Sequence, residues 1–370
     1  MSPPTLRVDQ EHFLAEHWQR EPLFLPGGVA DFIPPADADE LAGLAMEPDC
    51  DARIVRCNGG RWTQQTGPFT ETDLQGDGAW SLLVQSVDHY WQDAAALFRL
   101  VNFLPRWRFA DVMMSYASDG GGAGPHYDNY DVFIIQGEGR RTWELGQRCD
   151  DQSPLQADAD MRILAQFRCQ SSYTLECGDV LYIPPGVAHQ GVSHGESTSF
   201  SLGFRAPRLS DLLARWVDNT LADTGDALLL QDAGRAPATH AGEITREDVQ
   251  RARRQLLALA DDADPRWFGE ALTEQQLEQE VHSPIAGAVQ GCTVALAPGA
   301  RLAWYRGPDH LLVFAGGQTH SAPLALQPVL ESLCSGDAVE ASAPGSEAEG
   351  LESLLQWLQD TNTLMSFDDE

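Results

Sequence analysis

Three side chains of metal-binding type stand where they can converge. In GPHYDNYDVFIIQG, His126 and Asp128 lie one residue apart at the head of the apolar run Val132-Phe133-Ile134-Ile135. Successive side chains of an extended chain point to opposite faces, so His126 and Asp128 share a face while Tyr127 points away. Downstream, in ECGDVLYIPPGVAHQG, a Gly178-Asp179 turn, a strand from Val180 to Ile183 and a rigid Pro184-Pro185-Gly186 corner lead to His189. An H-x-D pair with a distant histidine is the ligand set of a non-haem Fe(II) facial triad, which covers one face of an octahedron and leaves the other open to substrates. His126, Asp128 and His189 are therefore the candidate catalytic metal ligands.

Taken singly, each residue has a plainer explanation, because a lone His is usually a satisfied core or surface residue. The conjunction is what is specific. It is joined by the loop GGGAGP, where Gly120, Gly121, Gly122 and Gly124 let backbone approach a bound ligand. That loop lacks the Gly-Lys-Ser/Thr ending of a phosphate-binding loop, which excludes nucleotide binding there. After the turn Gly137-Glu138-Gly139 come Arg140 and Arg141 at the start of another strand. Neighbours on a strand face opposite sides, so one of the two is expected to face inward, the plainer alternative being that both are surface charges; a buried guanidinium requires an anionic partner, for which its planar fork suits a carboxylate. Parity does not choose between them, since the turn resets the count.

The elements that must position these groups are short. From Phe13 to about Pro207, PLFLPGG, ARIVRC, WSLLVQSV, DVMMSYA, DVFIIQG, RTWELG, DVLYIPPG and SFSLGF read as strands cut by Gly and Pro, the texture of a barrel or sandwich. Beyond Pro207 the pattern turns helical, with a stripe of Leu209, Leu212, Leu213, Trp216, Val217 and Leu221. A second helix is expected from Thr245, where Thr245 and Asp248 offer a capping box. From about Val281, strand-like ARLAWYR and HLLVFAGG alternate with helical LALQPVLESLC and GLESLLQWLQD, a small α+β region; ASAPGSEAEG is a loop.

With 370 residues there is room for two or three domains. A net charge of −31 repels phosphate backbones, which argues against nucleic-acid binding and for a basic protein partner, although salt adaptation would also produce it. All 24 cationic residues are Arg, so lysine Schiff-base chemistry is excluded. Seven scattered cysteines without a C-x-x-C pair imply reduced, mostly buried thiols. No leader-like or membrane-spanning apolar stretch is apparent, and a cytoplasmic protein is expected.

FLAEHWQREPLFLPGG, FADVMMSYASDGGGAGPHYDNYDVFIIQGEGRRTWELG, GDVLYIPPGVAHQG and SFSLGFRAP together resemble the bacterial ribosomal oxygenases of the JmjC class, arginine hydroxylases of large-subunit ribosomal protein sixteen. The resemblance is close through about Pro207 and weaker beyond. It implies a mixed α/β chain: a JmjC/cupin-like double-stranded β-helix over 1–207, a helical dimerisation region over 208–280 and a winged-helix-like domain over 281–370. It puts the iron on His126, Asp128 and His189, and the distal carboxylate of 2-oxoglutarate on Arg141. Ser115 becomes a second contact to that carboxylate, and Ser199 stands where relatives carry an amide side chain. His194, close to His189, is read as a loop residue. The implied reaction uses Fe(II), 2-oxoglutarate and O2 to hydroxylate the β-carbon of an arginine in a basic ribosomal protein, with the enzyme a homodimer. Asp119, Asp131 and Glu144 are candidates to hold the substrate guanidinium, solvated surface being the plainer reading of each. The alternatives are a related hydroxylase acting on a histidine or another basic protein, and a non-catalytic cupin-like binding module; the latter predicts no 2-oxoglutarate turnover.

Overall fold

Gly- and Pro-rich turns cut the chain before residue 205 into eleven short strands: β1 (Leu23–Leu25), β2 (Ala52–Asn58), β3 (Arg61–Thr66), β4 (Trp80–Val84), β5 (Phe109–Ala117), β6 (Asp131–Gln136), β7 (Arg140–Arg148), β8 (Ser171–Leu175), β9 (Val180–Ile183), β10 (Val187–His194) and β11 (Ser197–Phe204). The computed structural model describes residues 5–76, 78–223, 228–237, 240, 242–259, 264–274, 293–340 and 350–367. Eight strands form one sheet in the order β1-β9-β6-β11-β5-β4-β2-β3, and β10-β7-β8 form a second. Every pairing in both is antiparallel.

The alternation of side chains along β5 and β11 explains where the site lies. Val112 and Met114 of β5 and Phe200, Leu202 and Phe204 of β11 point into the larger core, against Phe13, Leu41, Phe98 and Val101. The residues of opposite parity, Asp111, Met113 and Ser115 with Ser199, Ser201 and Gly203, face a cavity instead. Strand β6 is apolar on both faces because it is buried twice: Phe133 and Ile135 join the larger core. Val132 and Ile134 pack with Trp143, Leu145, Leu181 and Val187 between the sheets. The interior of the β-helix is thus apolar at the triad end of β6 and polar along β5 and β11.

All eight expected strands form, and three more were hidden. Strand β3 (RWTQQT) is an edge strand with little apolar surface, β8 (SSYTL) is likewise an edge, and β10 is interrupted by His, Gln and Gly. His194 is a correction: it ends β10 rather than lying in a loop, and it is exposed, 2.6 Å from Thr142 Oγ1. The cysteines are also less buried than expected, for Cys169 and Cys177 are exposed, although every described cysteine is free.

A helix over Leu209–Asp223 carries the expected stripe; Leu212 and Trp216 are half-buried, yet Leu209, Leu213 and Leu221 are exposed at 83%, 56% and 63%, so part of the stripe is not covered by the described residues. The next helix, Arg246–Leu259, is capped as expected: Thr245 N–H donates to Asp248 Oδ2 at 2.9 Å and Asp248 N–H to Thr245 Oγ1 at 3.2 Å. The last unit combines β12 (Thr293–Leu296), β13 (Leu302–Arg306), β14 (His310–Ala315), β15 (Gln318–Pro323), β16 (Val339–Glu340) and β17 (Leu364–Phe367) with helices Gln327–Cys334 and Leu351–Asp360. Its own core includes Leu311, Val313, Leu330, Leu354 and Leu358. The expected boundary near 281 and most of the ASAPGSEAEG loop lie outside the described residues. Among the described residues no helix is long and apolar enough to cross a membrane.

Candidate active site

The triad is built by pairing two chain segments edge to edge. His126 N–H donates to the His189 carbonyl at 3.0 Å and His189 N–H to that of His126 at 2.8 Å, an isolated antiparallel bridge that sets the two imidazoles 4.3 Å apart, centroid to centroid. Asp128 is tied into the same corner, its carbonyl accepting from Gly186 N–H at 2.8 Å. The candidate ligand atoms of His126, Asp128 and His189 all lie within 4.8 Å of one another, and His189 Nε2 is 3.6 Å from Asp128 Oδ2.

Each imidazole is oriented by its other nitrogen. Nδ1 of His126 lies 2.9 Å from the Gly124 carbonyl, and Nδ1 of His189 lies 2.9 Å from that of Val187. A carbonyl only accepts, so Nδ1 carries the proton in both and Nε2 is left with its lone pair. Burial, reinforced by His126, lowers the pKa of His189 from 6.5 to about 4, keeping it neutral near pH 7, as coordination requires. The donor set therefore fits an iron ion.

Arg141 is 4% exposed and faces in, whereas Arg140 is exposed, so the structure resolves the parity left open by the turn. Its Nε and Nη2 donate to Ser197 Oγ at 3.2 and 3.1 Å, and Nη2 also to the Ser197 carbonyl at 3.3 Å. Nη1 donates to Ser115 Oγ at 2.9 Å and Ser199 Oγ at 3.0 Å. All these acceptors are neutral. Burial lowers the guanidinium pKa from 12.5 to about 10, so the group remains charged at neutral pH without a carboxylate beside it. Ser115 and Ser199 are 2.9 Å apart, and since one hydroxyl donates to the other, a second hydroxyl proton is left over. A buried cation with a spare hydroxyl donor has the chemistry to pair with a small carboxylate.

Triad and Arg141 line one cavity of about 590 Å³. Trp143 bridges them, its ring 6.1 Å from that of His189 and 6.0 Å from the Arg141 guanidinium carbon. Gly191 makes room for both, because a Cβ there would come within 3.0 Å of Arg141 Cδ and Trp143 Cε2. The glycine loop plays a different part from the one expected of it. Side chains at Gly121 and Gly122 would collide with the carbonyls of Trp80 and Gly191, so the loop is packed mainly against the protein's own backbone, although Gly122 also lines the cavity.

The three acids named as candidates for the substrate guanidinium are elsewhere, and of the three Asp131 is not the solvated surface residue of the plainer reading. Asp131 is fully buried and accepts from Tyr182, Gln19 and Arg108; Asp119 is exposed and accepts from Gly195 N–H; Glu144 accepts from Gln190. None of them lines the cavity, but Asp111 does. It is 8% exposed, and its Oδ2 accepts from Gln85 Nε2 at 2.9 Å and Ser86 Oγ at 3.3 Å, with no ion-pair partner among the described residues. The signal for Asp111 was present in the sequence: it shares strand parity with Ser115, four residues on.

Comparison with known proteins places these features in a family. Residues 96–212 match the model of the JmjC domain, and residues 210–361 that of the ROXA-like winged helix. The chain is 35% identical over 360 residues to the Escherichia coli ribosomal protein uL16 3-hydroxylase, covering 93% of each chain. It is 34% identical over 209 residues to a probable ribosomal oxygenase of Haemophilus influenzae, covering 56% of this chain and 52% of that one. The structure of YcfD, a ribosomal oxygenase from Escherichia coli, superposes with a TM-score of 0.82 at 33% identity over 99% of both chains. Its complex with cobalt and 2-oxoglutarate also superposes with a TM-score of 0.82, at 33% identity, over 99% of this chain and 100% of that one. With a cluster of three metal-ligand side chains and a buried guanidinium in a JmjC β-helix followed by a ROXA-like winged helix, this chain belongs to the JmjC ribosomal oxygenases, the 2-oxoglutarate-dependent protein hydroxylases.

Proposed function

We propose that this protein uses Fe(II), 2-oxoglutarate and O2 to hydroxylate the β-carbon of an arginine in the large-subunit ribosomal protein uL16. One observation carries the reading: a single cavity holds a cluster of three metal-ligand side chains and, among the described residues, a buried guanidinium with no carboxylate partner and a buried carboxylate with no cationic partner. His126, Asp128 and His189 would hold the iron. Arg141, with Ser115 and Ser199, would hold the distal carboxylate of 2-oxoglutarate, and Asp111 the guanidinium of the substrate. When bound, the iron would let O2 act as the oxidant, one oxygen atom entering the oxo acid as it is oxidised to succinate with loss of carbon dioxide and the other entering a substrate C–H bond to give C–OH.

The chain's own part is positioning and exclusion. The Nδ1–carbonyl bonds hold both imidazoles in the coordinating tautomer, and Asp128 brings negative charge to the metal. Trp143 and Tyr130 wall the cavity and limit water around the reacting carbon. An arginine held through its guanidinium at Asp111 leaves its aliphatic carbons in the cavity that the triad lines. A neutral imidazole would leave the Asp111 carboxylate desolvated and unpaired, which disfavours the histidine-hydroxylating alternative.

The wider features support the same picture. A chain of charge −31 suits a basic ribosomal protein, speeds their encounter and disfavours direct nucleic-acid contact. A homodimer would cover the apolar faces of Leu209–Asp223 and Arg246–Leu259, where Val249, Leu256 and Leu257 are exposed at 60%, 65% and 52%. The work is cytoplasmic, and the chain divides into a catalytic unit (1–207), a dimerisation region (208–280) and the winged helix (281–370). Incubating uL16 with the protein, Fe(II), 2-oxoglutarate and air, then mapping its peptides by mass spectrometry, tests the proposal. The expected result is one added oxygen atom on an arginine; 2-oxoglutarate turnover with unmodified arginine and an oxygen on another residue would overturn it.

A further inference from the structure

Asp111 does not stand alone in the cavity wall. Its Oδ2 accepts from the Gln85 amide at 2.9 Å, and the other end of that amide, Oε1, accepts from Arg53 Nη2 at 3.3 Å. The three side chains come from adjacent parts of the large sheet: Arg53 from β2, Gln85 from the residue that follows β4, and Asp111 from β5. All three line the cavity.

Resting on the reading of Asp111 as the guanidinium receptor, we infer that Gln85, locked by Arg53, is the positioning residue that sets Asp111 for its substrate. An amide can present either its oxygen or its NH2 group to a neighbour. Presented as oxygen, Gln85 would repel the carboxylate. Because Arg53 offers only donors, it claims the amide oxygen and forces the NH2 group toward Asp111. Together with Ser86, which donates to the same Oδ2 at 3.3 Å, this fixes the rotation of the carboxylate and leaves Oδ1 on the Gly203 side. That side is open because residue 203 is glycine: a Cβ there would lie 3.2 Å from Asp111 Oδ1 and 3.9 Å from the Tyr130 ring. A planar guanidinium slotted between them depends on the angle at which Oδ1 is presented, whereas a compact ammonium ion depends on it much less.

The experiment compares steady-state kinetics of the full-length protein on a uL16 peptide with its target arginine, and on the same peptide with lysine there. The expected result for Gln85→Leu is a KM for the arginine peptide raised about tenfold, the scale of one charge-assisted hydrogen bond. The kcat at saturating peptide should change less than twofold, and the lysine peptide much less than the arginine peptide. Arg53→Met should shift KM in the same direction and Arg53→Lys, which keeps a donor, should restore it; both keep residue 85 itself a glutamine, so they decide the matter even if Gln85→Leu folds poorly. An unchanged KM in Gln85→Leu and Arg53→Met, with Asp111→Asn still impaired, would overturn the inference alone. An unimpaired Asp111→Asn would overturn the reading of Asp111 beneath it.

Discussion

Replacing Arg141 by Met should cripple the use of 2-oxoglutarate while sparing the fold, because the two effects have opposite signs. Holding this guanidinium in the ligand-free interior is costly: its pKa falls from 12.5 to about 10 through burial, which at about 1.4 kcal/mol per tenfold amounts to roughly 3 kcal/mol. Met removes that cost but takes the Arg141 donor away from Ser115, Ser197 and Ser199, a loss of about 1 kcal/mol for each serine. The terms nearly cancel, so the metal-free protein should melt within a few degrees of the parent. Binding has no such offset. Truncating one partner of a buried, hydrogen-bonded charge pair costs about 2–5 kcal/mol, or roughly 30-fold to several-thousand-fold in KM. Succinate formation at varied 2-oxoglutarate gives that KM, and thermal melting with and without 2-oxoglutarate gives the ligand-induced stabilisation, which should vanish in the variant. A KM within threefold of the parent, or a collapse of the melting temperature with 2-oxoglutarate affinity retained, would make Arg141 a structural cation and refute the reasoning.

Two further outcomes probe features away from the pocket. Asp88 is buried, with its Oδ1 accepting from Val112 N–H at 2.8 Å, and burial pushes its pKa from 3.8 up to about 7. The folded protein therefore holds a proton that the unfolded chain releases: stability from this group is full below about pH 4 and is lost as pH rises through about 7. Asp88→Asn should stabilise by roughly 2–4 kcal/mol at pH 8 and by little at pH 4 in urea unfolding; equal effects at both would contradict the assignment. The parent protein should sediment as the proposed dimer and the pair Leu213→Glu and Leu256→Glu as a monomer; a monomeric parent, or a dimer that survives both changes, would show that these faces do not form such an interface.

What the sequence made legible follows from how rare each pattern is. His126, Asp128 and His189 could be read directly, because metal-ligand types at strand parity beside a Pro-Pro-Gly corner seldom coincide. Arg141 required either the family resemblance or the structure, since Gly139 sits at φ +67° and the turn it makes erases strand parity. Asp111 was missed among 55 acidic residues, although its strand parity with Ser115, four residues on, was there to be read. The glycine loop was legible as a close approach but not as an approach to the protein's own Trp80 and Gly191. The leucine stripe beyond Pro207 was legible as a helix, yet periodicity says only that a face is apolar and not whether the same chain covers it.

The most direct test of the central claim is a crystal grown without oxygen in the presence of Mn(II), standing in for iron, and 2-oxoglutarate. The account predicts a single anomalous peak shared by His126 Nε2, Asp128 and His189 Nε2, with the far carboxylate of the oxo acid on Arg141 and the Ser115–Ser199 pair. Metal bound elsewhere, or an oxo acid that leaves Arg141 with its serines alone, would contradict it.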